Sequence, residues 1–258
     1  MVFLFNMEDN SRQYGQQDFN LPHDVLTLPS KGLFYKNKRK SVKVGYLTAQ
    51  DENVLASVNK DINVIHTLVK NKVYEPDFRV EDLIESDLEA ILIFLRNTSF
   101  GTEYNFTLTD PKTNKSFEKT INLDRLDITE PKITPNNEGL FEIDLPKSKA
   151  KALCKILTVG EIEELNKVAE KYPQGIVAPI VTNKLEKQIV SIDGNTDREY
   201  ISKFVINLPI SDSKLLRNTI SDCEPKLNLR HEVTAPSGEK VNVRITFGAE
   251  FFRPFFWI

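Results

Sequence analysis

The sequence predicts an α+β fold in which β-hairpins pack against short amphipathic helices, arranged in two similar halves. Three observations carry this expectation. Runs of alternating apolar and polar residues come in pairs separated by turn residues: Tyr104, Phe106 and Leu108 precede Asp110-Pro111-Lys112-Thr113-Asn114, and residues 117–123 run back. Between such pairs apolar residues recur at helical spacing, most clearly at Leu88, Ile91, Leu92 and Leu95. The same succession of hairpin, capped helix and hairpin then occurs a second time. With 258 residues, 40% hydrophobic and 28% charged, the chain has ample material for a core.

Taken in order, residues 1–18 read as a disordered arm, because residues 8–17 carry almost no large apolar side chain. An N-terminal α+β unit follows over 19–128. In Leu28-Pro29-Ser30-Lys31-Gly32-Leu33-Phe34-Tyr35 the glycine predicts a turn and residues 33–35 a strand. Residues 36–40, Lys-Asn-Lys-Arg-Lys, form a solvated hairpin tip before Val42, Val44 and Tyr46 resume the alternation. Thr48-Ala49-Gln50-Asp51 places a capping hydroxyl three residues before an acid, so a helix starts there with Val54, Leu55 and Val58 on its apolar face. Val64, Ile65, Leu68 and Val69 predict a second helix that ends before Glu75-Pro76. Ser86-Asp87-Leu88-Glu89 reads as the cap of a third, which Gly101 stops.

Residues 129–139 contain Pro131, Pro135 and two asparagines without periodicity and read as a linker. The C-terminal α+β unit, 140–258, repeats the earlier pattern. Residues 140–145 suit a strand, and Thr158-Val159-Gly160-Glu161 caps a helix bearing Ile162, Leu165 and Val168, as Thr48 to Asp51 did. Ser211-Asp212 precedes Leu216-Arg217-Asn218-Thr219 as Ser86-Asp87 precedes Leu95-Arg96-Asn97-Thr98. Both hairpin turns carry Thr-x-Pro, Thr109-Asp110-Pro111 and Thr234-Ala235-Pro236, and Val241, Val243, Ile245 and Phe247 make the last strand.

Composition excludes several functions. A net charge of −3 and a pI of about 5.8 give no reason to bind nucleic acid or an anionic membrane. No stretch approaches the ~18 apolar residues of a membrane span, and the opening apolar run is too short for a signal peptide. Cys154 and Cys223, each in a segment that reads as helical, are expected to be buried free thiols of a protein made in a reducing compartment. No phosphate loop, nucleophile elbow or HExxH motif occurs. His23, His66 and His231 are too scattered to ligate a metal together. Glu161, Glu163 and Glu164 sit where acids favour a helix dipole, with Glu163 and Lys167 placed for an i,i+4 pair. No enzyme, cofactor or metal site is therefore expected.

One feature does call for cover. Residues 247–258 hold six aromatics, and a group of that size left in water exceeds what a monomer tolerates. Either Phe251, Phe252, Phe255, Phe256 and Trp257 fold back onto the core, or they bind another protein.

The motif Leu28, Pro29, Ser30, Lys31, Gly32 with Tyr35, followed by Leu47, Thr48, Asp51 and Glu52, resembles the opening of the T-even-type baseplate hub proteins of contractile-tailed phages. Leu95-Arg96, Ser99-Phe100-Gly101 and Tyr104 continue the likeness, as do Ser211-Asp212, Leu216-Arg217, the turn at Ala235-Pro236-Ser237-Gly238 and Phe251-Phe252. Residues 129–202 stay unmatched. The resemblance implies a structural or assembly component of the tail baseplate hub, bound to other hub and tail proteins. It implies a place in the virion after assembly and in the host cytoplasm before it, and sets no oligomeric state. Many members of that family carry a Cys-Pro-x-Cys-like turn at these hairpins, suited to zinc. Here the turns read Asp110-Pro111-Lys112-Thr113 and Ala235-Pro236-Ser237-Gly238, so no zinc is expected. The rival readings are a transient assembly chaperone absent from the virion, an enzyme of unrecognised motif, and a nucleic-acid binder using Lys36 to Lys43. A deep cleft with several ionisable groups of shifted pKa is what the enzyme would show.

Overall fold

The computed structural model describes residues 22–56, 62–173 and 176–252; the expected arm at 1–18, and Phe255, Phe256 and Trp257, lie outside the described residues. The first half begins with the antiparallel pair β1 (His23–Thr27) and β2 (Ser41–Gly45), then α1 (Ala49–Ala56) and α2 (Ile62–Lys72). A 3-10 turn at Val80–Asp82 leads into α3 (Glu85–Phe100), followed by the hairpin β3 (Glu103–Thr109) and β4 (Ser116–Asn122) and the short β5 (Ile128–Thr129). The second half runs β6 (Leu140–Leu145), β7 (Ala150–Lys155), α4 (Val159–Glu170), α5 (Ile180–Gln188), β8 (Ile189–Ile192), α6 (Arg198–Ile206) and α7 (Ile210–Cys223). It closes with β9 (Lys226–Leu227), the hairpin β10 (Arg230–Thr234) and β11 (Lys240–Arg244), and the four-residue α8 (Ala249–Phe252). The sheets among the described residues are small, antiparallel and open, with β6, β7 and β8 in one, so the fold is α+β.

Several local expectations change. Residues 33–35 are not a strand: Lys31 and Gly32 have positive φ, 50° and 76°, and Leu33 N and Tyr35 N donate back to Ser30 O and Gly32 O. A Cβ at Gly32 would lie 2.6 Å from Lys38 O, so consecutive turns occupy the interval where the alternation suggested an extended chain. The strand that pairs with β2 is the earlier β1. Ser86 and Asp87 do not cap α3, which starts at Glu85 with Ile84 as its N-cap residue and no side-chain cap; Asp87 faces another part of the chain. Thr158 and Glu161 do form a reciprocal capping box on α4. Cys154 lies in a strand, β7, not a helix; it and Cys223 are buried free thiols, and burial pushes the Cys154 thiol up to about 12. Glu163 pairs with His66, at 2.9 Å, rather than with Lys167.

Buried side chains form two clusters. The first gathers Val44, Leu68, Ile91 and Leu95 with Leu229, Ile245, Phe251 and Phe252 from the end of the described chain. The second is built from residues 141–223 together with Ile84. Each cluster borrows one residue from the neighbouring element of the other: Val159 sits in the first, Ile84 in the second. A bridge between Ile84 and Thr158 and a hydrogen bond from Val159 N to Leu83 O (2.7 Å) hold this exchange. Gly160 permits it, because a Cβ there would come within 2.9 Å of Glu81 Cβ. Segment 129–139, expected as a linker, is tied at its start by β5 pairing with β9 and by Lys132 N donating to Asp222 O (2.8 Å). The expected unit 140–258 is therefore shared between both clusters.

Phe251 is fully buried. Its ring lies 5.3 Å from Tyr104, 4.9 Å from Phe247 and 5.2 Å from Phe252. Phe251→Ala should lower stability by about 3–5 kcal/mol, read as a shifted midpoint in chemical denaturation, because the first cluster cannot collapse around the void.

Candidate functional site

The motif Leu28 to Gly32 forms the loop after β1, and its geometry centres on a carboxylate 57 residues away. Ser30 N donates to Asp87 Oδ1 at 2.9 Å, and Tyr35 OH donates to Asp87 Oδ2 at 2.5 Å. Ile84 N in turn donates to the Tyr35 hydroxyl oxygen at 3.1 Å, so loop, tyrosine and the start of α3 form one network. Ser30 and Asp87 are fully buried. Burial raises the Asp87 pKa, and the bonds from Ser30 and Tyr35 offset that only in part. The second half of the motif works similarly. Thr48 N and Oγ1 both donate to Asp51 Oδ2 at 2.7 Å, and the same buried carboxylate forms an ion pair with Lys72 on α2. Leu47 packs against the first cluster, and Glu52 is exposed.

The second half holds a counterpart of this arrangement. Leu145 faces Ala150 across β6 and β7 as Leu28 faces Lys40, and the intervening loop is Pro146-Lys147-Ser148-Lys149. Its partner is Asp212 on α7, which accepts from Lys147 N (3.3 Å), Ser148 N (2.7 Å) and Ser148 Oγ (2.7 Å). Burial pushes the Asp212 carboxyl up, but these donors outweigh it and the pKa is lowered. From that loop onward Val42 and Val44 match Ala152 and Cys154, all buried, and Thr48 with Asp51 matches Thr158 with Glu161. Aligning Asp87 with Asp212 sets Ile91 beside Leu216, both fully buried, so the Leu-Arg-Asn-Thr match of the sequence is one helical turn out of register. Arg217 is exposed accordingly, whereas Arg96 is buried.

The two Thr-x-Pro hairpins meet at their tips. Asp110 accepts from Lys112 N (2.9 Å) and Thr113 N (3.2 Å) of its own turn and from Ser237 N (3.0 Å) and Ser237 Oγ (2.7 Å) of the other. Burial opposes ionisation of Asp110, and the hydrogen bonds, led by Ser237, prevail to lower its pKa. One carboxylate whose two oxygens already serve four protein donors does not suit zinc, and the described residues hold no cluster of three or more His, Cys, Asp or Glu that could bind a metal ion.

A sequence model of the family described as T4 bacteriophage base plate protein matches residues 25–253, most of the chain. The chain belongs to that family. No curated protein and no solved structure matches it. This baseplate protein is thus a structural component of the phage tail, and among the described residues no helix is long and apolar enough to cross a membrane.

The structure brings the family-motif residues Leu28, Ser30, Gly32, Tyr35, Thr48 and Asp51 of the baseplate protein into the first core and its rim. Pro29 follows Leu28 in the same loop, and Lys31 reaches outward to Glu130 at 2.7 Å. Of the aromatics expected at a partner contact, Phe251 and Phe252 fold back into the protein's own core. Arg96 fixes them: it donates to Phe251 O (3.2 Å), Gly101 O (2.7 Å) and Glu103 O (3.0 Å), with its guanidinium over the Tyr104 ring at 4.9 Å. Sequence reasoning missed the loop 145–148 and its aspartate. The signal was present, since Leu145-Pro146-Lys147-Ser148 repeats the composition of Leu28-Pro29-Ser30-Lys31.

A cleft of about 620 Å³ opens beside the start of α3, lined by the acids Glu85, Glu89, Asp127 and Glu224 and by Lys226, Arg230 and Arg244. Burial first, and Glu85 second, push the Glu89 carboxyl up to about 8. This is the kind of cleft that the enzyme reading required, but its walls carry no histidine or cysteine.

Asp87→Ala should destabilise the protein by about 3 kcal/mol, because it strands the Ser30 amide and the Tyr35 hydroxyl in the core, whereas Asp87→Asn, which keeps an acceptor, should lose less. Urea denaturation of the two variants and the parent measures this order.

Proposed function

We infer that this chain is a protein-binding component of the central hub of a contractile-tail baseplate, retained in the finished virion. The family match over residues 25–253 carries the reading, with the hub placement drawn from the likeness of the Leu28 to Glu52 motif. The chemistry of the described residues supports binding over catalysis. The buried carboxylates Asp87, Asp110 and Asp212 are occupied by backbone and hydroxyl donors that position loops, which leaves them no role with a substrate. The basic loop at 36–40 is largely exposed and presents no aromatic platform between its lysines, which argues against a nucleic-acid site.

The contact to the partner is assigned to Phe255, Phe256 and Trp257. Phe251 and Phe252, locked by Arg96, give that segment a fixed root, and three large aromatics in sequence suit a buried anchor in a neighbouring protein. Quantitative mass spectrometry of purified particles tests the reading. A fixed, low copy number in particles is expected. A chain ending at Phe252 should melt like the parent and be missing from particles. Abundance of the parent in infected-cell lysate with absence from particles would replace the retained subunit by a transient assembly factor.

A further inference from the structure

The cleft beside α3 holds a polar group with nothing to bond. Ser86, in the first turn of α3, is 3% exposed, lines the cleft, and its Oγ has no hydrogen-bond partner. Buried hydroxyls are almost always satisfied, so one left over in a cleft wall marks the position of an incoming group. Around it stand Glu85 and Glu89, one helical turn apart, and Glu224, which follows α7. None of the three carboxylates forms an ion pair or hydrogen bond within the described chain. They act on one another instead: burial and then Glu85 raise the pKa of both Glu89 and Glu224. Arg244 and Lys226 offset this repulsion without cancelling it. The carboxylates are not grouped as metal ligands. The cleft therefore suits a broad organic cation with several donors, able to reach two carboxylates and a hydroxyl together, and a guanidinium has that form. Arg230 and Arg244, opposite each other on β10 and β11 and exposed in the same cleft, would meet backbone carbonyls or acids flanking such a side chain, which favours a peptide segment over a free ion.

We propose that this cleft receives an arginine side chain presented by an extended segment of a neighbouring baseplate protein. The assignment rests on the baseplate reading for its partner and on the cleft alone for its chemistry. Titration calorimetry of the full chain with the peptide acetyl-Gly-Arg-Gly-amide, at low ionic strength, tests it. The arginine peptide should bind, and its citrulline counterpart, of the same shape without charge, should bind at least about tenfold more weakly. Glu85→Gln should weaken the arginine peptide by a similar factor. Ser86→Ala should weaken it too while melting no lower than the parent, because no intramolecular bond is lost. Equal binding of the two peptides, no binding of the arginine peptide, or a lower melting temperature of Ser86→Ala would each overturn the proposal. Particle composition separates the two readings. Peptide binding by a chain absent from virions removes the retained-subunit placement and leaves the cleft standing. A chain present in virions that binds no arginine removes the cleft assignment alone.

Discussion

The Ser30 amide lies in the protein interior, where no strand or helix offers it an acceptor, and a buried donor left alone costs about 1–3 kcal/mol. Asp87 supplies the acceptor, and the rest of the first half follows from that requirement. The bond sets the loop after β1 against the start of α3. Tyr35 closes the same carboxylate from the other side and takes the Ile84 amide, which fixes where α3 begins. Further along that helix Arg96 reaches the carbonyls of Gly101, Glu103 and Phe251, so the first cluster is shut by residues 155 positions apart. A loop, a helix and the end of the described chain are thereby held through one carboxylate and one guanidinium.

The chain builds this arrangement twice and varies it. Ser148 and Asp212 repeat the lock with a shorter loop; burial prevails at Asp87, whereas at Asp212 the hydrogen bonds from Ser148 and Lys147, with the Lys147 charge, outweigh it. Beside β2 the first half has only a bridge from Val44 to Val73, where the second half adds the full strand β8 beside β7. The hairpins that follow α3 and α7 are joined at their tips through Asp110 and Ser237, so the two halves are linked at the tips as well as through Ile84 and Val159. The two halves of the baseplate protein are thus braced against each other at two places.

Local patterns in the sequence carried the hairpins β3–β4 and β10–β11, the helices α1 to α4 and α7 and the capping box at Thr158, because alternation, helical spacing and cap chemistry act over a few residues; β7, β8, α5 and α6 were not read from it. The locks were not legible for a physical reason. Ser86 and Asp87 are residue types that also cap helices, and nothing within one turn of them states that Asp87 answers an amide 57 residues earlier. The run Leu33 to Tyr35 looked extended because its apolar spacing is that of a strand, while the positive φ at Lys31 and Gly32 commits the backbone to turns. The aromatic cluster at 247–258 was correctly seen as needing cover, but composition alone does not divide it: Phe251 is covered by Tyr104 and Arg96, both distant in sequence, together with Phe247 just before α8.

The claim that two buried carboxylates organise the fold is tested most directly by native-state hydrogen exchange at the Ser30 and Ser148 amides. Both protons should exchange only through global or near-global opening, with protection matching that of the amides in the middle of α3 and α7. Exchange of either proton as fast as that of the amides of the exposed residues Lys36 and Asn37 would show that its loop opens locally, and would contradict the account.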